Sequence, residues 1–204
     1  MNNKHLLNTV QMYASLRQYI SRYIEAQLPD EEFSLIEKAF HPKLIRKKGY
    51  MLQEGEICRF TGFVVKGAMR QYFVDAKGNE HILRFAIENW WVGDRESHIM
   101  LTPSVYNIDA WEDCDLLLLT RTNFMNHLIQ IPAINEMMRK IDDNFAIATQ
   151  KRVSSLTLPA EERYIALTKT YPELLQRFPQ HIIASYLGIA KETLSRLRGY
   201  AAKK

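Results

Sequence analysis

The sequence has only two cysteines and no long hydrophobic run. Cys58 and Cys114 lie far apart, so they form neither an iron–sulfur motif nor a disulfide framework. We expect two buried thiols, because free cysteine usually packs as a small apolar residue. The longest aliphatic run, residues 116–119, is far too short to cross a bilayer. The first twenty residues are too polar for a secretory signal, so we expect a cytoplasmic protein.

Metal-binding and hydrolase motifs are also missing. The six histidines, at positions 5, 41, 81, 98, 127 and 181, include no pair separated by one or three residues. A jelly-roll enzyme of the cupin kind needs a histidine-rich metal cluster, and residues 45–119 contain only His81 and His98. The Gly-x-Ser-x-Gly motif of serine hydrolases does not occur. We therefore assign no catalytic residue and no metal site, and we expect a protein that is not an enzyme.

Positive charge is concentrated near the C-terminus. Residues 150–204 contain ten Lys or Arg and four Asp or Glu, a net charge of +6, whereas the rest of the chain carries −2. This asymmetry favours contact between the C-terminal quarter and a polyanion, with a solvated basic face as the alternative.

Two helices are predicted before the first strand. Residues 4–27 have apolar side chains every three or four positions, as in an amphipathic helix: Leu6, Val10, Tyr13, Leu16, Ile20, Tyr23 and Ile24. Pro29 ends this pattern, and an acidic first turn then predicts a second helix over residues 30–40. The pattern alone indicates no function for the first 27 residues.

The middle of the chain has the pattern of an antiparallel β structure. Between residues 45 and 119, short β-branched or aromatic runs alternate with glycines, and the stretch DAKGNE predicts a turn at residues 75–80. About eight short strands predict a barrel or a double-sheet jelly roll. Since 47% of the residues are apolar, the chain can bury a substantial core.

A long helix is predicted over residues 132–153, because no glycine or proline interrupts the chain for more than twenty residues after Pro132. Its apolar residues are separated by 4, 3, 4 and 3 positions, the spacing of a heptad seam: Ile134, Met138, Ile141, Phe145 and Ala148. Such a seam packs either on the strands or on a second copy. We predict a dimerisation helix, because the helix is long and its opposite face is charged.

The stretch ASYLGIAKETLSRLRG, residues 184–199, has the pattern of two crossing helices joined at one glycine. Apolar or small residues occupy every position that such a pair must bury, and Gly188 stands where the turn needs a positive φ. The predicted core of this helix-turn-helix, over residues 180–198, is Ile183, Ala184, Leu187, Gly188, Ile189, Leu194 and Leu197.

The outward face of the second helix distinguishes a DNA-binding motif from a plain helical hairpin. With Leu194 and Leu197 inside, the exposed positions can hydrogen-bond to bases or phosphates: Lys191, Glu192, Ser195, Arg196 and Arg198. Glutamate can accept from the cytosine N4 amine, and arginine can donate to guanine O6 and N7. This face favours double-stranded DNA as the partner.

The sequence resembles the Crp/Fnr superfamily of bacterial transcription regulators. LGIAKETLSRLRG is similar to that family's recognition helix, and KGYMLQEGEICRFTGFVVKGAMRQYFVDAKGNE is similar to the opening strands of its cyclic-nucleotide-binding-type jelly roll. The resemblance implies that Glu192 and Arg196 read base edges and that Lys191 and Thr193 contact bases or phosphate. Lys191 replaces the family's first arginine and lacks its bidentate fork.

The resemblance also implies partners and a domain order. The expected partners are DNA, a second copy of the chain, RNA polymerase and an unknown small-molecule effector, without a membrane. The predicted fold class is α+β: an N-terminal antiparallel jelly roll flanked by helices, a long dimerisation helix, and a small all-α helix-turn-helix domain without a full β wing. The predicted domains are residues 1–130, 131–153 and 154–204.

A cyclic nucleotide is not expected as the effector. Family members that bind one hold its phosphate with Gly-Glu followed by Arg with Ser or Thr, whereas here Gly93 precedes Asp94 and no arginine occurs between Glu96 and Leu119. Arg70, Arg84 and Arg95 lie outside the cassette position. The candidate effector-pocket residues are Trp91, Gly93, Asp94, Ser104 and Tyr106.

Two alternatives within the same architecture remain at this stage. One is a haem or redox sensor with His81 or Cys58 as a ligand. The other is a ligand-binding signalling module whose C-terminal helices bind a protein instead of DNA.

Overall fold

Two helices precede a β region, and a further series of helices follows it. A computed structural model describes residues 7–25 and 27–201 of the chain. The helices within these residues are α1 (Thr9–Ser21), α2 (Asp30–Ala39), α3 (Arg95–Met100), α4 (Arg121–Asn123), α5 (Pro132–Ser155), α6 (Ala160–Thr170), α7 (Pro172–Arg177), α8 (Gln180–Leu187) and α9 (Lys191–Ala201), with one π-helical turn at Phe124–Leu128. The predicted α+β class is confirmed.

Eight strands form two antiparallel sheets. They are β1 (Phe40–Ile45), β2 (Tyr50–Leu52), β3 (Phe60–Lys66), β4 (Met69–Val74), β5 (Glu80–Ala86), β6 (Trp91–Val92), β7 (Asn107–Ala110) and β8 (Cys114–Thr120). One sheet has the order β1-β8-β3-β6 and the other β2-β7-β4-β5. The register places Phe63 opposite Leu117 in the first sheet. The predicted double-sheet jelly roll is therefore present, and β5 lies at a sheet edge.

The interior of the jelly roll is filled by apolar side chains from both sheets. They include Ile45, Val64 and Leu116 from the first sheet and Met69 and Ile108 from the second. Val64, Leu116, Met69 and Ile108 are completely inaccessible to solvent. Close packing of this kind is what holds two sheets face to face.

Helix α1 covers the other face of the first sheet. Its start is fixed by a capping box between Asn8 and Gln11. Leu16 and Ile20 are fully buried, in the same core as Phe63, and the indole of Trp91 donates a hydrogen bond to the hydroxyl of Tyr19 at 3.1 Å. Burial raises the pKa of Tyr19. The N-terminal segment thus completes a core of the β region.

The helix predicted over residues 4–27 is shorter in the structure. It begins at Thr9 and ends at Ser21, and residues 4–6 and 26 lie outside the described residues. Tyr23 and Ile24 continue the apolar spacing because they pack against the same core from the segment after the helix. Likewise α2 ends at Ala39, because Phe40 is already the first residue of β1.

The apolar seam of α5 packs within its own chain over its first half. Ile134 is buried, and Met138 and Ile141 lie against the core that α1 completes. Phe145 lies under the guanidinium of Arg84, and Ala148 is exposed. The heptad spacing of the first three residues is therefore explained by intrachain packing, and dimer contact through this seam stays a prediction.

The described chain divides into two compact units. The first contains residues up to Gln71 together with Phe85–Asp142, and the second contains Tyr72–Arg84 together with the residues from Asp143 onward. The tip of the β4–β5 hairpin thus belongs to the same unit as helices α6 to α9. The three predicted domains stay a prediction, since their boundaries differ from this division.

Candidate functional site

The turn between α8 and α9 requires glycine. Gly188 has a φ of 65° and a ψ of 39°, and its backbone N–H caps the end of α8. A side chain in this left-handed conformation is strained, and a Cβ here would lie 3.4 Å from Nη1 of Arg163. The glycine predicted from the sequence therefore sets the crossing of the two helices.

The predicted core of the helix pair contains both buried and half-buried residues. Ile183, Ala184, Leu187 and Leu194 are each exposed by 3% or less. Ile189 and Leu197 are half-buried. This packing leaves the opposite face of α9 accessible to a partner.

The outward face of α9 is polar and basic. The exposed residues are Lys191, Glu192, Ser195, Arg196 and Arg198, and Thr193 is half-buried. Among the described residues, none forms an ion pair with Lys191, Arg196 or Arg198. The face therefore presents three uncompensated cations beside one carboxylate, a pattern suited to phosphates and base edges.

Two arginines that the sequence reading did not single out bind the end of α8. Arg152 of α5 donates to the carbonyl oxygen of Tyr186, and Arg163 of α6 donates to that of Leu187 at 2.5 Å. Cations at a helix C-terminus satisfy its free carbonyls and interact favourably with the helix dipole. The two residues hold the last turn before Gly188, and only their position in the fold reveals this function.

The start of α9 has no such side-chain support. Ala190 precedes the helix, and its carbonyl accepts from the N–H of Leu194 at 3.1 Å. An alanine offers no side-chain acceptor for the free N–H groups of the first turn. Ala190 therefore supplies no side-chain cap to the first turn of α9.

The carboxylate of Asp94, just after β6, is engaged by hydrogen bonds within its own loop. The carboxylate is buried and accepts hydrogen bonds from the N–H groups of Glu96 and Ser97, as the N-cap of α3. It also accepts the hydroxyl of Ser104 at 2.7 Å. The N–H of Tyr106 in turn donates to the oxygen of Ser104 at 3.0 Å. The structure thus brings Asp94, Ser104 and Tyr106 together in one closed network.

Ser97 and Cys58, which lie next to this network, also have hydrogen-bond partners within the protein. The hydroxyl of Ser97 donates to the carbonyl of Thr102 and accepts from the N–H of Cys58 at 2.9 Å. The sulfur of Cys58 accepts from the N–H of Asp94 at 3.3 Å, and burial raises the pKa of this thiol. Cys58 is therefore held as a neutral thiol within the protein.

The remaining candidate pocket residues lie elsewhere. Trp91 packs against Phe63, with ring centroids 5.3 Å apart, and its indole N–H is bonded to Tyr19. Trp91 is thus part of the core beneath α1. Gly93 lies between it and Asp94, and a Cβ at this position would lie 3.3 Å from the carbonyl oxygen of Phe60 in β3.

The three arginines considered as substitutes for the cassette cation all have partners. Arg70 forms a bidentate pair with Asp109, both bonds being 2.9 Å, and both side chains are at least nine-tenths buried. Arg84 lies over the ring of Phe145, and burial lowers its pKa. Arg95 is bidentate on Asp142, a hydrogen-bonded pair that raises the pKa of the arginine.

A cavity of about 450 Å³ lies beside Cys58. Its lining residues are Met51, Leu52, Glu56, Ile57, Cys58, Arg59 and Phe60. Cys58 connects its wall to α3, because the carbonyl of this residue lies 3.0 Å from Nδ1 of His98. The cavity is mainly apolar, with one charge of each sign.

His81, considered as a haem ligand, is engaged on the β4–β5 hairpin. Its Nε2 lies 2.9 Å from the carboxylate of Asp75, and its ring is stacked on Phe73 with centroids 4.8 Å apart. Within residues 7–25 and 27–201, no three His, Cys, Asp or Glu side chains are grouped as metal ligands. In the same residues, every helix is too short or too polar to span a membrane.

Comparison with known proteins agrees with this architecture. The profile of the family described as the cyclic nucleotide-binding domain matches residues 42–130. FixK2 from Bradyrhizobium japonicum has a TM-score of 0.65 at 19% sequence identity, over 80% of this chain and 85% of that chain. No curated protein sequence matches the chain significantly.

Two further solved structures share the fold. CLP from Xanthomonas campestris, a c-di-GMP-responsive global regulator, has a TM-score of 0.65 at 14% identity, over 86% of this chain and 92% of that chain. The catabolite activator protein of Thermus thermophilus has a TM-score of 0.54 at 19% identity, over 86% and 84%. Residues 42–130 therefore match the cyclic nucleotide-binding domain family, and the chain shares its fold with these three solved structures.

Proposed function

We propose that this protein is a cytoplasmic transcription regulator of the Crp/Fnr type that binds a pseudo-palindromic DNA site as a homodimer and is not an enzyme. The observation that carries the proposal is the outward face of α9. Lys191, Arg196 and Arg198 are exposed there without ion-pair partners among the described residues, while Leu194 is exposed by only 1%. A helix anchored on one side and basic on the other can enter a major groove.

The division of roles along α9 follows from hydrogen-bond chemistry. Glu192 accepts from cytosine N4 and Arg196 donates to guanine O6 and N7, so these two residues read bases. Lys191 and Arg198 contact phosphates and position the helix without reading sequence. Thr193 and Ser195 add hydroxyl contacts to bases or phosphate. RNA polymerase is the further partner of such a regulator.

The second copy is proposed to cover an exposed stripe on the last half of α5 that continues to Leu156, the residue after the helix. Ala146, Thr149, Val153 and Leu156 follow each other at spacings of 3, 4 and 3 and are all exposed, Val153 by 61%. Small residues at Ala146 and Thr149 allow two helices to approach closely, and the spacing is that of a left-handed helix pair. The stripe lies on the same helix as the predicted seam, whose first three residues pack in their own chain.

A cyclic nucleotide is not the proposed effector. Ribose recognition would need a free carboxylate at Asp94, and phosphate recognition would need a free cation, but Asp94 is engaged with α3 and Ser104 and Arg70 is paired with Asp109. Calorimetric titration with cyclic AMP should give no micromolar binding, and binding at that strength would refute this part of the proposal.

The DNA-binding proposal is tested by selection from random double-stranded DNA. The expected result is an enriched inverted repeat whose half-sites lie about 34 Å apart, one helical turn from centre to centre. Enrichment of no sequence, together with weak salt dependence, would instead support C-terminal helices that bind a protein.

A further inference from the structure

Ser185 of α8 makes two hydrogen bonds to the backbone of β5. Its hydroxyl donates to the carbonyl oxygen of Glu80 at 2.9 Å and accepts from the N–H of Ile82 at 3.0 Å. The sequence separation is more than one hundred residues, and all three residues lie in the same compact unit. A single side chain thus joins the first helix of the helix pair to a strand.

The geometry suits the chemistry of a sheet edge. Strand β5 is the last strand in the order β2-β7-β4-β5, so the N–H and C=O groups of alternate residues point away from the sheet. Glu80 and Ile82 are two residues apart and therefore point the same way. A hydroxyl is both donor and acceptor, so serine can satisfy one group of each kind at once.

Tyr186, the residue after Ser185, attaches α8 to α5. The guanidinium of Arg152 lies 3.8 Å from the ring centroid of Tyr186 and donates to its carbonyl oxygen. On the hairpin, Arg84 lies 4.5 Å from the ring centroid of Phe145. Consecutive residues of α8 thus contact β5 and the second half of α5, and Arg84 joins β5 to α5 directly.

We infer that Ser185 is a positioning residue that fixes the angle at which α9 is presented relative to α5. Helices α8 and α9 share a buried core around Leu187 and Leu194, so a constraint on α8 is also a constraint on α9. This inference rests on the proposed dimer that reads two half-sites. In such a dimer, the hydroxyl bridge sets the half-site spacing that the protein accepts.

The test is the dependence of DNA affinity on half-site spacing. Affinities of the wild type and of Ser185→Ala are measured for the selected inverted repeat and for versions with one base pair inserted or deleted at the centre. Two neutral hydrogen bonds of ordinary net strength would favour the bridged orientation of α8 over others by about tenfold. The variant should bind the selected repeat about 3- to 10-fold more weakly and should lose less affinity when the spacing changes.

A single half-site separates positioning from damage to the reading surface. Ser185→Ala should bind one half-site as the wild type does, because it changes no side chain of α9. Ser34→Ala is the matched control, since Ser34 is exposed on α2 and its hydroxyl bonds to the carbonyl of Asp30 in its own helix. The control should have the wild-type spacing profile.

Hydrogen–deuterium exchange of the backbone amides tests the hydrogen bond between Ser185 and Ile82 directly. The N–H of Ile82 should exchange slowly with deuterium in the wild type and faster in Ser185→Ala, and Ser34→Ala should leave it unchanged. A variant with the wild-type spacing profile, or an unchanged Ile82 exchange rate, would overturn the inference. If the wild type binds no DNA, the proposed function fails instead, and the two failures are distinct.

Discussion

The guanidinium of Arg152 stacks on the ring of Tyr186 at 3.8 Å and also donates to the carbonyl oxygen of the same residue. Burial lowers the pKa of Arg152, which still keeps its charge at neutral pH because an arginine starts far above it. One side chain from α5 therefore binds both the face and the backbone of the last turn of α8. The stability of the helix pair should depend on it.

Arg152→Ala should lower the free energy of unfolding by about 1–3 kcal/mol, because it removes a charged hydrogen bond and a cation–π contact. Urea unfolding followed by circular dichroism measures the change. Arg139→Ala is the control, since Arg139 is exposed on the same helix. Equal stabilities of the two variants would contradict the role of Arg152.

Val153→Glu should convert a dimer to a monomer, because it places a charge at the centre of the stripe proposed to meet a second copy. Val10→Glu makes the same change at a residue that is 77% exposed on α1, and it should leave the dimer intact. Sedimentation equilibrium of both variants measures the mass. Identical masses would show that α5 pairs through another face or that the protein is not a dimer.

Glu192→Ala and Arg198→Ala should affect DNA binding in different ways. Loss of Glu192 should relax base preference at one position by about 1–3 kcal/mol, because the cytosine amine loses its acceptor. Loss of Arg198 should weaken every sequence alike and flatten the salt dependence by about one unit. Titrations of matched and mismatched sites at several salt concentrations distinguish the two. Equal effects on all sequences would remove the base-reading role of Glu192.

Asp75→Asn should destabilise the protein at neutral pH and have a smaller effect at acid pH. Hydrogen bonds from His81 and Asn79 hold the pKa of the Asp75 carboxyl well below its usual range. The charged form therefore stabilises the fold fully above the unfolded pKa of about 3.9, and this contribution is lost as the pH falls toward the folded value. The difference from the wild type should narrow between pH 5 and pH 2. A difference that stays constant over this range would contradict this assignment, and Asp143→Asn, at an exposed residue of α5, is the control.

Sequence pattern predicted the structure correctly at positions where a single local property decides the outcome. Gly188 was recognisable because only glycine adopts its backbone conformation freely, and Leu187 and Leu194 because helical spacing marks the buried side. The end of α1 was missed, because Tyr23 and Ile24 keep an apolar spacing after the helix has ended. Periodicity reports which residues are buried, and it does not report whether the backbone is still helical.

Contacts between distant segments could not be predicted from one sequence. Ser185 reads as an ordinary polar position of a helix, and its bridge to Glu80 and Ile82 exists only because the fold brings β5 beside it. Dimer contact through the seam of α5 stays a prediction for a related reason, since a heptad spacing fits packing within one chain as well as a second copy. The basic face of α9 could be predicted, because its lysine and arginines follow from helical spacing alone and depend on no contact with a distant segment.

The most direct test of the account is the affinity of the wild type for the selected inverted repeat and for a scrambled duplex of equal composition, over a range of salt concentrations. The repeat should be bound at least about 10³-fold more tightly at physiological salt, and both affinities should fall as salt rises. Equal affinities for the two duplexes, or binding that does not respond to salt, would contradict sequence-specific recognition of DNA by α9.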